Sequence, residues 1–300
     1  MTVVLQLGGA ASDLVVGPPA ALPGAWAGAP SAVLDPDDGV VLAYRLRRPV
    51  GQGRGFANVV ARSADGVAVE TVAVVGKDRF GGESLERPAL VRTPEGRWRL
   101  YVSVATPGTK HWRVDVLEAA TPEGLALAPA RTVLPGSEAA AVKDPVLLHA
   151  AGRWHLWASV HPLDDPDHTD RMTTDYATSP DGLEWTWHGT VLAGRPGAWD
   201  ARGVRVASVV ATPTGVRASY DGRATAEENW EERTGTAVAA LGPDGRFGPL
   251  EADPGPPLGS PHAGGGLRYL DELALPDGGT RLYYEWTRED GAHELRTELR

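Results

Sequence analysis

The 300 residues carry a formal charge of −10 and no cysteine, which excludes disulfides, thiolate metal centres and thiol nucleophiles and argues against a protein that mainly grips nucleic-acid phosphates. A hydrophobic fraction of 42% suffices for a sizeable core, yet no run approaches the ~20 apolar residues of a membrane helix, so no membrane partner is expected. The 37 glycines and 25 prolines are spread along the whole chain, a pattern that suits short strands and frequent turns better than long helices.

In chain order, Met1 to Val16 lack the basic start and sustained apolar run of a secretory leader. Together with the absent cysteines this gives a cytoplasmic location as the expectation. Five segments then share one pattern: a short apolar strand, a turn rich in Asp, Glu, Pro or Gly, and a second apolar or aromatic strand. They run from Ser31 to Tyr44, Pro88 to Tyr101, Pro145 to Trp157, Ala207 to Tyr220 and Tyr269 to Tyr284. Their turn glycines, Gly39, Gly96, Gly152, Gly215 and Gly278, lie 57, 56, 63 and 63 residues apart.

Outer strands with their own turns follow at Ala61–Gly66, Glu118–Gly124, Tyr176–Gly182 and Ala239–Gly245. Each repeat therefore holds about four strands. The spacing predicts one all-β domain over residues 1–300, a five-bladed β-propeller of four-stranded antiparallel blades. The fifth repeat ends at Glu294–Leu299, its third strand, and the N-terminal segment Thr2–Leu7 is expected to close the ring as the missing outer strand.

In such a ring, the start of each innermost strand and the connection from second to third strand share one face. The openings Ala29–Pro30, Glu86–Arg87, Lys143–Asp144, Arg205–Val206 and Arg268–Tyr269 would then meet the connections 45–58, 105–112, 161–174, 221–234 and 286–292 around a central funnel. Carboxylates, arginines, histidines and tryptophans collect there, a mixture suited to a polar, hydroxyl-rich ligand. The stretch from Tyr220 to Arg233 combines the Asp221–Arg223 pair with an acidic run and Trp230. Arginine there suits a carboxylate or phosphate on the ligand, and the indole suits a sugar ring.

The repeat pattern, together with Val142-Lys-Asp-Pro-Val-Leu-Leu148 at the opening of the third blade, resembles the five-bladed propeller glycoside hydrolases of the group around families 43, 32, 62, 117 and 130. The resemblance implies that Asp144 orients the catalytic acid, raises its pKa or stabilises the transition state. Two further family carboxylates are replaced. Ala29 and Pro30 stand where the first blade opens with an aspartate, and Trp199-Asp-Ala-Arg-Gly-Val-Arg205 stands where the fourth blade brings a glutamate.

Glycoside hydrolysis uses two opposed carboxyl groups, one of them able to donate a proton. The candidates here are Asp144 with Asp221, then Glu86 and Asp200. Arg87, Arg223, Trp230, His111, Arg205 and His161 are the candidate ligand-binding residues. The resemblance further implies that His262 helps hold a calcium or other ion on the propeller axis, and no other cofactor is required. The expected partner is a small glycan or glycoside, and the oligomeric state stays open. Two other readings stand beside glycoside hydrolysis: a non-catalytic sugar-binding propeller, and a phosphorolytic, lyase or tailoring enzyme working with Arg87, Arg205, Arg223 and His111. The Ser179-Pro-Asp-Gly-Leu-Glu-Trp185 stretch resembles the Asp-box turn of several propellers, a structural element.

Overall fold

The computed structural model describes residues 12–35, 39–165, 167–262 and 264–300. The alternation of apolar strand and turn becomes sets of four strands, paired antiparallel in chain order. The first set is β2 (Trp26–Asp35), β3 (Gly39–Arg47), β4 (Gly55–Ser63) and β5 (Glu70–Gly76), preceded by the short β1 (Asp13–Val16). The second is β6 (Leu85–Arg92), β7 (Trp98–Ala105), β8 (Trp112–Ala119) and β9 (Ala130–Leu134). The third is β10 (Ala140–Ala150), β11 (Arg153–Pro162), β12 (Thr173–Ser179) and β13 (Thr186–Leu192). The fourth is β14 (Gly203–Thr212), β15 (Gly215–Arg223), β16 (Arg233–Ala240) and the two-residue β17 (Glu251–Ala252). The last is β18 (Leu267–Ala274), β19 (Thr280–Thr287) and β20 (His293–Leu299), with β1 paired antiparallel to β20 as its fourth member.

A single parallel bridge, Trp26 to His293, joins the last set to the first. The strand that covers the edge of β20 is thus Asp13–Val16; the segment Thr2–Leu7 expected in that place lies outside the described residues.

The leading strands of the sets pack side by side in sequence, β2 on β6, β6 on β10, β10 on β14, β14 on β18 and β18 back on β2. Apolar clusters fill the spaces between successive sets. Val41, Val60, Leu90, Leu100 and Val102 pack between the first and second. Tyr101, Val116, Leu156 and Ala177 join the second to the third, and Trp157, Tyr176, Val206 and Val216 the third to the fourth. Tyrosine hydroxyls tie neighbouring sets: Tyr101 donates to the Gly182 carbonyl and Tyr283 to the Gly66 carbonyl, both at 2.8 Å. The receiving turns are braced by an aspartate. Asp181 Oδ1 accepts from the Leu183 and Glu184 amides, and Asp65 Oδ1 does the same for Val67 and Ala68. The Asp-box-like turn is therefore part of the scaffold.

Every leading strand carries a β-bulge near its start, at Ala29–Pro30, Glu86–Arg87, Asp144–Pro145, Ala207 and Tyr269–Leu270. Ala29, Asp144 and Tyr269 take left-handed φ values of 52°, 51° and 55° there. A bulge re-aims the side chains beside it, and these five re-aim residues at one end of the leading strands.

Candidate active site

Two cavities lie at opposite ends of the leading strands, and all five strands line each of them. The one at the N-terminal ends encloses about 340 Å³. Trp26, Glu86, Lys143, Arg205 and the Arg268–Tyr269 pair reach it from β2, β6, β10, β14 and β18. Arg45, His161, Asp170, Arg223, Trp230 and Glu232 reach it from the second strands and the connections that follow, and Trp112 from the start of β8. Seven lysines and arginines line the space against three carboxylates, although the protein as a whole carries a charge of −10.

Apart from Arg54, Lys110 and Asp170, which reach solvent, these charged groups are buried or nearly so, and most are paired. Arg45 pairs with Glu86 and, at 2.9 Å, with Glu285 of β19. Glu285 also accepts from Arg268 Nε at 2.7 Å and lies 2.7 Å from His293 Nδ1, so burial is overcome and its carboxyl is held well below the ordinary value. The room for this carboxylate comes from Gly28, where a Cβ would overlap it. Glu232 accepts from Arg223 Nη1 at 2.7 Å and Arg268 Nη1 at 2.8 Å, with Arg205 at 3.6 Å. These cations outweigh burial and keep it firmly ionised.

Lys143 differs from the arginines. Burial is the dominant influence and pushes its ammonium down to about 8, against an opposing pull from Asp144. Burial and the Lys143 charge push His161 down to about 3, so its ring is neutral at ordinary pH.

Of the residues singled out from the sequence, Glu86, Arg205, Arg223, Trp230 and His161 line this cavity. Asp144 and Asp221 lie directly behind its wall. The Asp144 carboxylate accepts from the Arg87 amide at 3.1 Å and sits 3.5 Å from Lys143 Nζ. Burial would raise its pKa, but Lys143, Arg205 and Arg45 hold it below the usual range. Asp221 accepts from the Tyr269 amide and from Arg205 Nε, each at 3.0 Å; burial prevails and raises it to about 6.

Three expectations are corrected by the geometry. Asp200 is buried under the fourth set, clamped by Arg195 Nε and the Tyr220 hydroxyl at 2.8 Å each, away from the cavity. Arg87 lines the opposite cavity and donates to the Pro145 carbonyl at 2.8 Å, because the residue beside Glu86 on the bulge faces the other way. His111 interacts with Thr106 Oγ1 at 3.0 Å, while its neighbours Lys110 and Trp112 line the cavity in its place. His262 sits exposed on a turn, edge-on to Trp286 at 6.4 Å, and no group of three or more metal-ligating side chains gathers among the described residues.

Sequence reasoning did not single out Lys143, Glu232, Arg45 and Arg268, although it put all four on the funnel face, and it passed over Glu285 and Trp26 altogether. For two of them a signal existed. Glu285 is a lone charge inside the aromatic run Leu282-Tyr-Tyr-Glu-Trp286, and Arg45 alternates with Arg47 at the end of an apolar strand.

Neither a scan against protein-family models nor a search of curated proteins finds a match. Solved structures do match. A glycosyl hydrolase from Bacteroides ovatus superimposes with a TM-score of 0.66 at 16% identity, over 94% of this chain and 90% of that one. An enzyme of family 43 from Xanthomonas citri, solved with xylotriose, gives a TM-score of 0.65 at 14% identity over 95% and 90%. A structure from family 130, which is described as mannoside phosphorylases that include hydrolases of β-1,2-mannosidic linkages, gives 0.62 at 15% over 90% and 83%. At these identities the likeness is one of fold, and the fold this chain shares is that of the β-propeller glycosidases of the family-43 and family-130 type.

Proposed function

We propose that the five sets form one closed five-bladed propeller, and that the arginine-rich funnel binds and turns over a small glycan or glycoside. The observation that carries this is the lining itself. Glu86, Glu232 and Lys143 come from three different sets and face one cavity together with the indoles of Trp26, Trp112 and Trp230. Indole faces suit the apolar face of a sugar ring, and the charged groups suit its hydroxyls.

Within this reading Glu86 is the base or nucleophile. It has one arginine partner, Arg45, on one of its two oxygens, whereas Glu232 is engaged by three guanidiniums. Glu232 fixes the arginines and stays ionised. Lys143 is the proton donor, because an ammonium shifted to about 8 is protonated at neutral pH yet releases its proton readily. In hydrolysis it would protonate the departing glycosidic oxygen; with Glu86 as nucleophile it regains a proton from the water that opens the glycosyl ester, and with Glu86 as base the water's proton goes to Glu86 and Lys143 is reprotonated from solvent. This arrangement stands in for the carboxylates missing at Ala29 and in the Trp199–Arg205 stretch.

A second reading, a sugar-binding propeller without turnover, draws on one observation. Each carboxylate of the lining is already ion-paired, Glu86 with Arg45, Glu232 with Arg223 and Asp170 with Arg202. Aryl glycosides and aryl uronides, assayed with and without phosphate, separate the readings. Turnover that is lost in Glu86→Gln and Lys143→Met supports the enzyme, and acceleration by phosphate would mark phosphorolysis. Sugar-induced tryptophan quenching with no turnover on any substrate would leave the binding module.

A further inference from the structure

Beside the funnel lies a buried cation with no ion-pair partner of its own. Arg47, at the end of β3, is 1% exposed. Among the described residues no carboxylate pairs with it, and its Nε and Nη1 donate no hydrogen bond. Its guanidinium lies 3.7 Å from the Trp26 ring centroid and 5.0 Å from that of Trp230. Indole faces recover part of the lost hydration of a cation but do not replace an anion. The surroundings disfavour the charge: burial, then Arg45, Arg268 and Arg54, pull the pKa of Arg47 downward, and the nearby Glu285 carboxylate, already paired with Arg45 and Arg268, opposes them only as the smallest influence.

A second, independent feature points at the same corner. Trp230 lines the funnel, covers Arg47 and stands edge-on to Trp26 at 5.9 Å. Its φ is 77°, a left-handed value that is uncommon for a bulky aromatic, and its side chain is 43% exposed. A strained, half-exposed indole lies over a buried guanidinium that no carboxylate contacts directly. Arg268, which approaches the Trp26 ring to 4.3 Å, likewise leaves its Nη2 without a partner.

We propose that this corner is an oxyanion subsite of the funnel, in which Arg47, reached when the Trp230 indole moves aside, takes a carboxylate or phosphate group carried by the glycoside or bound next to it. The planar guanidinium offers paired donors that match either group, and the ligand would supply the direct ion pair the fold leaves out. The proposal rests on the glycoside reading only for what carries the anion.

The test titrates the full chain with methyl β-glucuronoside, the matching neutral methyl glucoside and inorganic phosphate, following tryptophan fluorescence. The wild type is expected to bind the glucuronoside or phosphate about tenfold or more tightly than the neutral glucoside, a typical effect of one charge-assisted contact. Whichever anion gains identifies the source. Arg47→Met should erase that preference and leave neutral-sugar affinity within about twofold, because only the charge-assisted contact is lost. Arg47→Lys, which keeps the charge and loses the planar fork, should weaken the preference and serves if the methionine variant does not fold. Trp230→Ala removes one indole of the lining and should weaken both glycosides, yet keep the ratio of anionic to neutral affinity and speed phosphate association. A folded Arg47→Met protein with the preference intact, or a wild type with none, overturns the subsite. Neutral glucoside bound without gain from charge ends this proposal and leaves the glycoside reading standing; phosphate bound with no glycoside of either kind does the reverse.

Discussion

The two ends of the leading strands make opposite use of the same five elements. At the N-terminal ends, bulges turn Glu86, Lys143, Arg205 and Arg268 into a cavity where guanidinium donors remain unbonded, Arg205 Nη2 and Arg268 Nη2 among them. At the C-terminal ends a cavity of about 310 Å³ is lined by Ala32, Val33, Leu90, Val146 and Leu147. The charges at that end are matched locally: Glu272 is bound by Arg217 at 2.7 Å and by Ser219 Oγ at 2.7 Å, and Asp271 by the Ala32 amide at 2.7 Å, with Arg87 3.6 Å away. Both ends leave a guanidinium nitrogen over, Arg87 Nε at the second, but the first sets seven cations against three carboxylates, whereas the second balances Arg87 and Arg92 with Asp271 and Glu272. A ligand with polar or anionic groups has a use for the first and little purchase on the second, which is why the function is assigned there.

The sharpest way to break this comparison is to remove the carboxylate that organises the cationic end. Glu232→Gln leaves Arg223, Arg268 and Arg205 without their shared counter-charge. A loss of about 3–5 kcal/mol in unfolding free energy is expected, read from denaturant melts. A cost below 1 kcal/mol would mean the guanidiniums are not held by Glu232.

Next in size is a functional effect with little structural cost. Lys143→Met should lower turnover by about 10²–10⁴-fold. In the wild type, turnover should fall as pH rises through about 8, where the ammonium loses its proton. Asp144→Asn should shift that fall to lower pH, because the Asp144 charge is what opposes the downward shift of Lys143. An alkaline limb that ignores Asp144 removes Lys143 from the proton-donor role.

A steric probe comes third. Gly28→Ala places a methyl in the volume of the Glu285 carboxylate, which must move off Arg45 and Arg268. A cost of about 1–3 kcal/mol is expected, with weaker glycoside binding measured alongside it.

The smallest effect sharpens the other end. Burial raises Asp271 from 3.8 to about 6, so between pH ~4 and ~6 the folded protein holds a proton the unfolded chain has released. The stabilisation from that proton is complete below pH ~4 and is lost as pH rises through about 6. Asp271→Asn should flatten this part of the stability profile by on the order of 2 kcal/mol, Asp221 retaining a similar slope of its own. An unchanged profile would show that Asp271 is ionised throughout.

Much of the scaffold was legible because it is written locally. The five turn glycines and the strand pairs around them needed only alternation of apolar residues and turn chemistry, and the Asp65 and Asp181 turns could be read for the same reason. The site was legible only in part. Glu86, Arg205, Arg223, Trp230 and His161 were within reach because they sit at strand openings or in the connections on the same face. Arg87 and His111 were placed one residue out of phase, since neighbouring residues on a strand or bulge face opposite ways and spacing alone does not say which one faces in. Asp200 looked like a site carboxylate, yet Arg195 and Tyr220 bind it inside the scaffold, a pairing across 20 residues between Asp200 and Tyr220 that no local pattern announces.

By itself the sequence determined the strand repeats, their turns and the absence of cysteine chemistry, because hydrophobic alternation and backbone preferences act over a few residues. Only the tertiary structure decided the charge pattern of the cavity. Arg45, Glu86, Lys143, Arg205, Glu232 and Glu285 lie up to 240 residues apart and meet because five bulged strands pack side by side. Which of these charges are neutralised, and which donors are left for a ligand, depends on distances of 3 to 4 Å between side chains from different sets, and Coulomb forces in a buried site are set by those distances.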